Sequence, residues 1–494
     1  MNIVAPIFDY AEKNPDQLAI VDERSTTSYR TLAYTMGQVM IGLNKYNKPQ
    51  MTVGVLAHTH REVIETLCGA VAAGHIIVVL DPKWSQKQLK ESLKHVDILF
   101  IDEQFRDLVR NHTTVDVIPY RTGESISTFY YTDWRDLHTG TFPTLAVGDT
   151  EPFYIGFTSG TTSNPKSFIR HHQSWIESFT ACHSVFKIDQ NSHVVAPGSI
   201  AHSLFLFAVF HALFNGATLY VLNQYSSTKS LKLIQNHPVS HMYLVPTMAE
   251  SLLASLEPSE QHTQPVSLIT SGDKLTTETK GRLQNAWPDV QLFEFYGASE
   301  LSFVSVSTPS DHLRNPESVG KPFPSVQLEI RDDSGNPLPP EQIGTLHVKS
   351  NMLFSGYIND DNETANVLID DWAVTGDLAK LSHDGDLYLV GRKKNRIISG
   401  GWNIFPEKIE TIVKTYSSLH EVAVIGLQSR FWGEIPVLVI TEQSNDDQQS
   451  TLRSIYKEHL PRHEWPRRTY TIDAFPYTSS GKIARARLKE LIQR

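Results

Sequence analysis

Residues 153–167 read FYIGFTSGTTSNPKS, an apolar run that opens into a hydroxyl-rich segment ending on a cation. The run 153–157 has the length and composition of a buried strand. Of the ten residues 158–167, six carry hydroxyls, Gly160 permits a turn and Lys166 supplies a positive charge. Backbone N–H groups and hydroxyls at such a strand exit can converge on an anion. A polar surface turn has the same composition. The nucleotide P-loop reads G-x-x-x-x-G-K-[ST], and here Pro165 occupies the place of its second glycine. Proline lacks the N–H and the freedom of φ that this place requires, so the segment is not a P-loop. Ser163-x-x-Lys166 also matches the S-x-x-K signature of acyl-enzyme hydrolases, but the partner tripeptides K-T-G and S-D-N are absent from the chain.

Outward from this segment, short β-rich runs alternate with helical stretches. The runs TVGVLA (52–57), IIVVL (76–80), DILFID (97–102), HVVAP (193–197), ATLYVL (217–222), HMYLVP (241–246) and VSLITSG (266–272) are expected strands. Amphipathic stretches such as REVIETLCGAVAAG and SQKQLKESLKHV lie between them. Such alternation predicts an α/β fold: a large N-terminal domain of parallel-rich sheets flanked by helices. From about residue 320, SVQLEIRDDSGNPLPP and GTLHVKS predict a β subdomain, with turn chemistry at Asp333-Ser-Gly-Asn. After GRKKNRIISGG the alternation returns on a small scale in KIETIVKTY, EVAVIGL and IPVLVI, predicting a compact α+β C-terminal domain of ordinary size.

The chain has 494 residues, 40% of them apolar and 20% charged, enough for two or more packed cores. Its 44 basic and 54 acidic side chains leave a net charge of −10, which argues against nucleic acid as a partner. Cys68 and Cys182 are the only cysteines, so neither a disulfide scaffold nor a thiolate metal site is expected, and a reducing, cytoplasmic setting is. The start MNIVAPIFDYAEKNPDQ has no basic head and is not a signal peptide. Residues 204–222, LFLFAVFHALFNGATLYVL, are long enough for a membrane span but break at Asn215-Gly216. A buried helix followed by a strand is expected there instead, and the chain is not read as an integral membrane protein.

Four further segments follow in order: FYGASE (295–300), TGDLA (375–379), GRKKNRIISGGWNIFPEKIE (391–410) and TSSGKIAR (478–485). Together with TSGTTSNPKS (158–167) they resemble the ordered motifs of the adenylate-forming enzymes: acyl- and aryl-CoA synthetases, adenylation domains and luciferases. The likeness runs over essentially the whole chain, SVGKPFP and RFWGEIP included. It implies ATP, Mg²⁺ and coenzyme A as cofactors and a small carboxylic acid as substrate. The acid is first joined to AMP with release of pyrophosphate, and a thiol then displaces the AMP.

By the same resemblance, Thr158, Ser159, Gly160, Thr161, Thr162 and Lys166 would hold the β- and γ-phosphates. Glu300, with Thr158, would bind Mg²⁺. Tyr296 would stack on adenine beside Gly272, and Ser299 would contact the α-phosphate. Asp377 would accept hydrogen bonds from the ribose hydroxyls with Arg392 in support. Lys482 would bridge the attacking carboxylate and the α-phosphate in the first step. The implied division is 1–391 for the AMP-binding domain, 392–394 for a hinge containing Lys394, and 395–494 for a mobile lid. Gly400 and Gly401 would let pantetheine approach the backbone closely.

The chain departs from the pattern at Ser163 and Ser167, which replace loop glycines, at Asp273, where a small residue usually lies beside adenine, and at Trp402, which replaces a common acidic residue. No acidic residue occurs between Ser199 and Phe207, where relatives that activate amino acids carry an aspartate. An apolar acyl or aryl acid is therefore expected; by the resemblance His202 would stand at the carboxylate entrance, with Phe205, Phe295, Ser302 and Phe303 as candidate lining. A core histidine is the alternative for His202. The remaining alternatives are an adenylating enzyme that loads an acyl carrier protein, and an ATPase that hydrolyses ATP without an acid.

Overall fold

The computed structural model describes residues 1–493 apart from 111–114, 122–126, 146–147, 159–165, 257–263, 265, 401, 420, 442–445 and 478–482. The chain forms two compact units. One comprises Met1–Thr158, Lys166–Val326 and Lys349–Ala365; the other includes Gln327–Val348 and Asn366–Arg494.

The first unit is built on two sheets. The nine-stranded sheet runs Lys321–Pro322, Ser302–Ser307, Gln291–Ala298, Ser267–Thr270, His241–Leu244, His193–Ala196, Thr218–Val221, Leu18–Val21, Thr26–Ser28. The seven-stranded sheet runs Gly356–Tyr357, Lys166–His171, Pro152–Thr158, Ile76–Val79, Thr52–Leu56, Ile98–Asp102, Asp116–Tyr120. Interior strands pair in parallel, as Val53 with Ile77 and Ile98. Antiparallel strands close the edges, as Gln291–Ala298 with Ser302–Ser307. Parallel strands need helical crossovers that cover both faces of the sheet. That is why runs such as Ile98–Asp102 are buried at every position rather than at alternate ones.

Every strand expected from sequence is present, within one or two residues at its ends. The apolar segment 204–222 is the helix Ser203–Phe214, buried from Phe205 through Leu213, followed by the strand Thr218–Val221. Gly216, at φ +75°, makes the break between them in a conformation that suits glycine. Among the described residues no helix is long and apolar enough to cross a membrane.

The second unit contains a mostly antiparallel sheet of Gln327–Arg331, Gly344–Lys349, Trp372–Leu381 and Leu368–Ile369, with Leu387–Arg392 also paired to Trp372–Leu381. The expected turn is there: the Asp332 carboxylate accepts from the Ser334 and Asn336 amides, Gly335 has φ +87°, and Arg331 pairs with Pro337. Further along, Ile397–Ser399, Trp402–Ile404, Val422–Ser429, Gly433–Ile440 and Thr469–Thr471 make a small sheet. The helix Pro406–Tyr416 starts on proline, which suits a first helical position, and buries Ile409 and Val413 against Val422, Val424, Leu438 and Leu452.

Gly320 of SVGKPFP has φ +85°, and a Cβ added there would meet the Val306 carbonyl oxygen at 1.9 Å. Gly320→Ala should therefore lower the midpoint of the first thermal transition by about 5 °C or more, as strain and backbone clash add. Differential scanning calorimetry measures the shift.

Candidate active site

In the first unit the strand residues on either side of the hydroxyl-rich segment belong to antiparallel neighbours. Thr158 ends Pro152–Thr158, Lys166 begins Lys166–His171, and the two residues are register partners. Thr158 is half-buried. Ser159, Gly160, Thr161 and Thr162 lie outside the described residues. The half-buried Lys166 ammonium is ion-paired with Glu363 and stands 5.3 Å from the centre of the Tyr357 ring. On the other side the Tyr357 hydroxyl donates to Glu300 Oε1 at 3.0 Å. Burial and the neighbouring Glu300 carboxylate push the Tyr357 phenol well above its ordinary pKa, so it stays a donor. Lys166, Tyr357 and Glu300 thus form one contiguous polar line.

Glu300 and Ser299 occupy the tight turn between Gln291–Ala298 and Ser302–Ser307. Ser302 takes the left-handed conformation at φ +61°, and a Cβ on Gly297 would meet the Ser302 carbonyl oxygen at 2.0 Å. The Ser299 hydroxyl donates to Ser203 Oγ at 3.2 Å, and Ser203 in turn lies 3.3 Å from the Tyr154 hydroxyl. Tyr296 is half-buried on the same strand. Gly272 follows Ser267–Thr270 at φ +100° and is exposed beside Asp273, whose carboxylate accepts from the Lys274 amide.

His202 precedes the apolar helix Ser203–Phe214 and is exposed as a residue, so it is not a core histidine. It sits in a recess where desolvation lowers its pKa, opposed by Asp81. Of the expected lining, Phe205 is 2% and Phe303 is 4% exposed. Phe303 packs among Phe207, Phe295 and Phe323, and Ser302 is taken by a hydrogen bond from Arg170. These three side chains are spent on the core, and only Phe295 stays half-buried.

In the second unit Asp377 and Arg392 are register partners on adjacent strands, with Arg392 Nε 2.6 Å from Asp377 Oδ1. Gly376 turns at φ +71°, and the Thr375 hydroxyl accepts from the Asp377 amide at 3.0 Å. Lys394 lies in the short 3₁₀ turn Lys393–Asn395 that follows. Gly400, at φ +57°, is packed beneath Trp432, while Trp402 is exposed and stacks on His463 at 4.4 Å. Gly401 and Lys482 lie outside the described residues. The segment holding Lys482 is bracketed by the bridge Tyr477↔Ile483, and Arg485 just beyond it grips Glu410 through both guanidinium arms at 2.6 and 2.7 Å.

Reading the sequence overlooked three side chains of this site: Arg170, Tyr357 and Glu363. Arg170 carried a legible signal, since in Lys166–His171 it shares the inward face with Phe168. Tyr357 and Glu363 sit far along the chain in segments with no anion-binding pattern.

Residues 7–358 match the model of the AMP-binding enzyme family, and residues 408–482 match that of the AMP-binding enzyme C-terminal domain. The chain belongs to the AMP-binding enzymes. Among the relatives of this family member is the uncharacterized acyl–CoA ligase YhfT of Bacillus subtilis, 34% identical over 100% of this chain and 99% of the relative. Another is VraA of Staphylococcus aureus, provisionally named a long chain fatty acid–CoA ligase, 30% identical over 100% and 99%. In fold, this AMP-binding enzyme is similar to the B. subtilis o-succinylbenzoate CoA synthetase MenE in complex with its acyl-adenylate intermediate. That structure is 22% identical, with a TM-score of 0.86 over 99% of this chain and 98% of the other.

Glu363 pairs with the Lys166 ammonium. Glu363→Gln should release Lys166 and tighten binding of inorganic pyrophosphate by about three- to fivefold, the worth of one partly exposed ion pair. Isothermal titration at low and high salt reads the change, which should shrink as salt rises.

Proposed function

We propose that the protein is an AMP-forming acid–thiol ligase that makes an acyl-adenylate from ATP and a carboxylic acid, then an acyl-CoA thioester. The observation that carries this is the line Lys166–Tyr357–Glu300 beside the paired ends of the hydroxyl-rich segment. A cation and a carboxylate a phenol apart suit the two needs of a triphosphate, a direct positive charge and an anchored metal. Glu300 uses one oxygen for Tyr357, leaving the other for Mg²⁺, which prefers one or two protein carboxylates together with phosphate oxygens and water. Bound there, Mg²⁺ would neutralise charge on the phosphates.

The chain's own residues would then act as follows. Lys166 and the amides and hydroxyls of 158–162 grip the phosphate tail, Ser299 orients the α-phosphate and Tyr296 flanks the base. Asp377, held by Arg392, meets the ribose. Lys482 approaches the attacking carboxylate and the α-phosphate as charge builds there, when a prepositioned cation lowers the barrier most. The lid 395–494 turns about 392–394 between the half-reactions and brings Gly400 and Gly401 to the thiol. The acid is a fatty or other apolar carboxylic acid. The absence of an acidic residue between Ser199 and Phe207 and the name of VraA support this, and the aryl substrate in MenE's name marks the neighbouring class. The net charge and the two buried free thiols, Cys68 and Cys182, fit a cytoplasmic setting.

Acid-dependent exchange of pyrophosphate into ATP, run across fatty, aryl and amino acids, should be largest with a fatty acid. Exchange with amino acids alone, or ADP as the product, refutes the assignment. Lys482→Ala should reduce exchange by about a thousandfold or more while thiolysis of supplied acyl-adenylate survives; single-turnover assays of the two steps separate these effects. Turnover with free CoA, without a carrier protein, tells the ligase from a carrier-loading enzyme.

A further inference from the structure

We infer that Arg170 is a positioning residue that, together with the Tyr357 hydroxyl, fixes the Ser299–Glu300 turn so that Glu300 is aimed before any nucleotide arrives. This rests on the proposed role of Glu300. Arg170 lies on Lys166–His171, four residues beyond Lys166, and is 0% exposed. Its Nη1 donates to the carbonyl oxygens of Ser299 at 3.1 Å and Glu300 at 3.2 Å. Its Nη2 donates to Ser302 Oγ and to the Met352 carbonyl oxygen, both at 2.6 Å. Nε is buried without a hydrogen-bond partner.

All four bonds go to neutral oxygens, and burial pulls the guanidinium pKa down to about 9, with Glu300 and Tyr154 opposing. A guanidinium held this way is costly to bury, and an apolar side chain would fill the space at less cost to stability. What the arginine adds is geometry. Its planar fork meets two successive carbonyls of one turn and a third from a separate segment, a pattern neither lysine nor an apolar residue reproduces.

The third carbonyl explains the connection to Tyr357. Met352 opens the stretch that continues to Gly356–Tyr357, which pairs with Phe168 and Ile169 of the arginine's own strand. Along that stretch the Phe354 amide donates to the Glu300 carbonyl oxygen at 2.8 Å, and the Tyr357 hydroxyl reaches the Glu300 carboxylate. Glu300 is therefore held at its backbone by Arg170 and Phe354 and at its side chain by Tyr357. The Ser302 hydroxyl, on a backbone in the unfavourable left-handed conformation, is bonded by the same arginine. Lys166 and Glu300 consequently stand on one rigid frame, the condition under which a metal carboxylate and a phosphate cation can act together.

The test is pyrophosphate exchange against free Mg²⁺ at saturating ATP and acid, in the full-length enzyme, for Arg170→Met, Glu300→Gln and the double variant. Arg170→Met should raise the Mg²⁺ concentration for half-maximal rate by about tenfold or more, as loss of a partner behind a metal ligand does. The KM for the acid and thiolysis of supplied acyl-adenylate should stay near wild type, and in the Glu300→Gln background Arg170→Met should add nothing to the Mg²⁺ shift. An unchanged Mg²⁺ dependence, or effects that multiply in the double variant, overturns the inference. So does a loss that falls equally on every substrate and on thiolysis. Glu300→Gln with wild-type Mg²⁺ dependence would instead overturn the role of Glu300 on which the inference stands. Tyr357→Phe, which removes only a hydroxyl, covers the case in which Arg170→Met does not fold. It should raise the Mg²⁺ requirement about threefold with the thermal midpoint unmoved, and no rise counts against the clamp.

Discussion

The antiparallel pairing of Pro152–Thr158 with Lys166–His171, where a parallel sheet gives way to antiparallel strands at one side, sets the terms for the rest of the site. Parallel neighbours send the chain through a crossover helix, whereas an antiparallel pair lets it leave and return at one end of the sheet. The register Thr158↔Lys166 fixes the strand residues at both ends of the hydroxyl-rich segment, and the two-residue period places Lys166, Phe168 and Arg170 on one face. Phe168 and Arg170, further along the strand, are buried, while Lys166 at its start is half-buried.

Around that hairpin the electrostatics are paired. Lys166 has Glu363, Glu300 has the Tyr357 hydroxyl, and in the other unit Arg392 has Asp377. Such pairings hold long side chains near the conformations in which a ligand would meet them, and so lower the ordering cost of binding. On the proposed reading, an anion arriving at Lys166 would compete with a resident carboxylate, so affinity there would reflect an exchange of partners. Arg170 differs in kind. It is buried, bonded to neutral oxygens, and pulled by desolvation toward an ordinary amine's range. Its worth lies in shaping a turn.

In the second unit the same economy is repeated with local means. Adjacent strands place Asp377 opposite Arg392, so that pair needs no long-range packing to form. Tyr477 and Ile483 form a bridge, and Arg485 just beyond it holds Glu410, a residue of the helix Pro406–Tyr416, with both guanidinium arms.

Much of this was legible in the chain itself. Hydrophobic runs of strand length, broken by glycine and separated by amphipathic stretches, determine an α/β fold because each run can bury itself in only one way. Ordered motifs gave Lys166, Glu300, Asp377 and Arg392 as the candidate charges, and Asn215-Gly216 was enough to divide an apolar stretch into helix and strand. The tertiary structure alone decided that Phe205 and Phe303 belong to an aromatic core, because an aromatic side chain in a pocket and one in a core look identical in sequence. It alone joined Glu363 and Tyr357 to Lys166, and Met352 to Arg170, across nearly two hundred residues. Local propensity and periodicity are properties of neighbours in the chain. A hydrogen bond depends on distance and angle, which exist only once the sheets have closed.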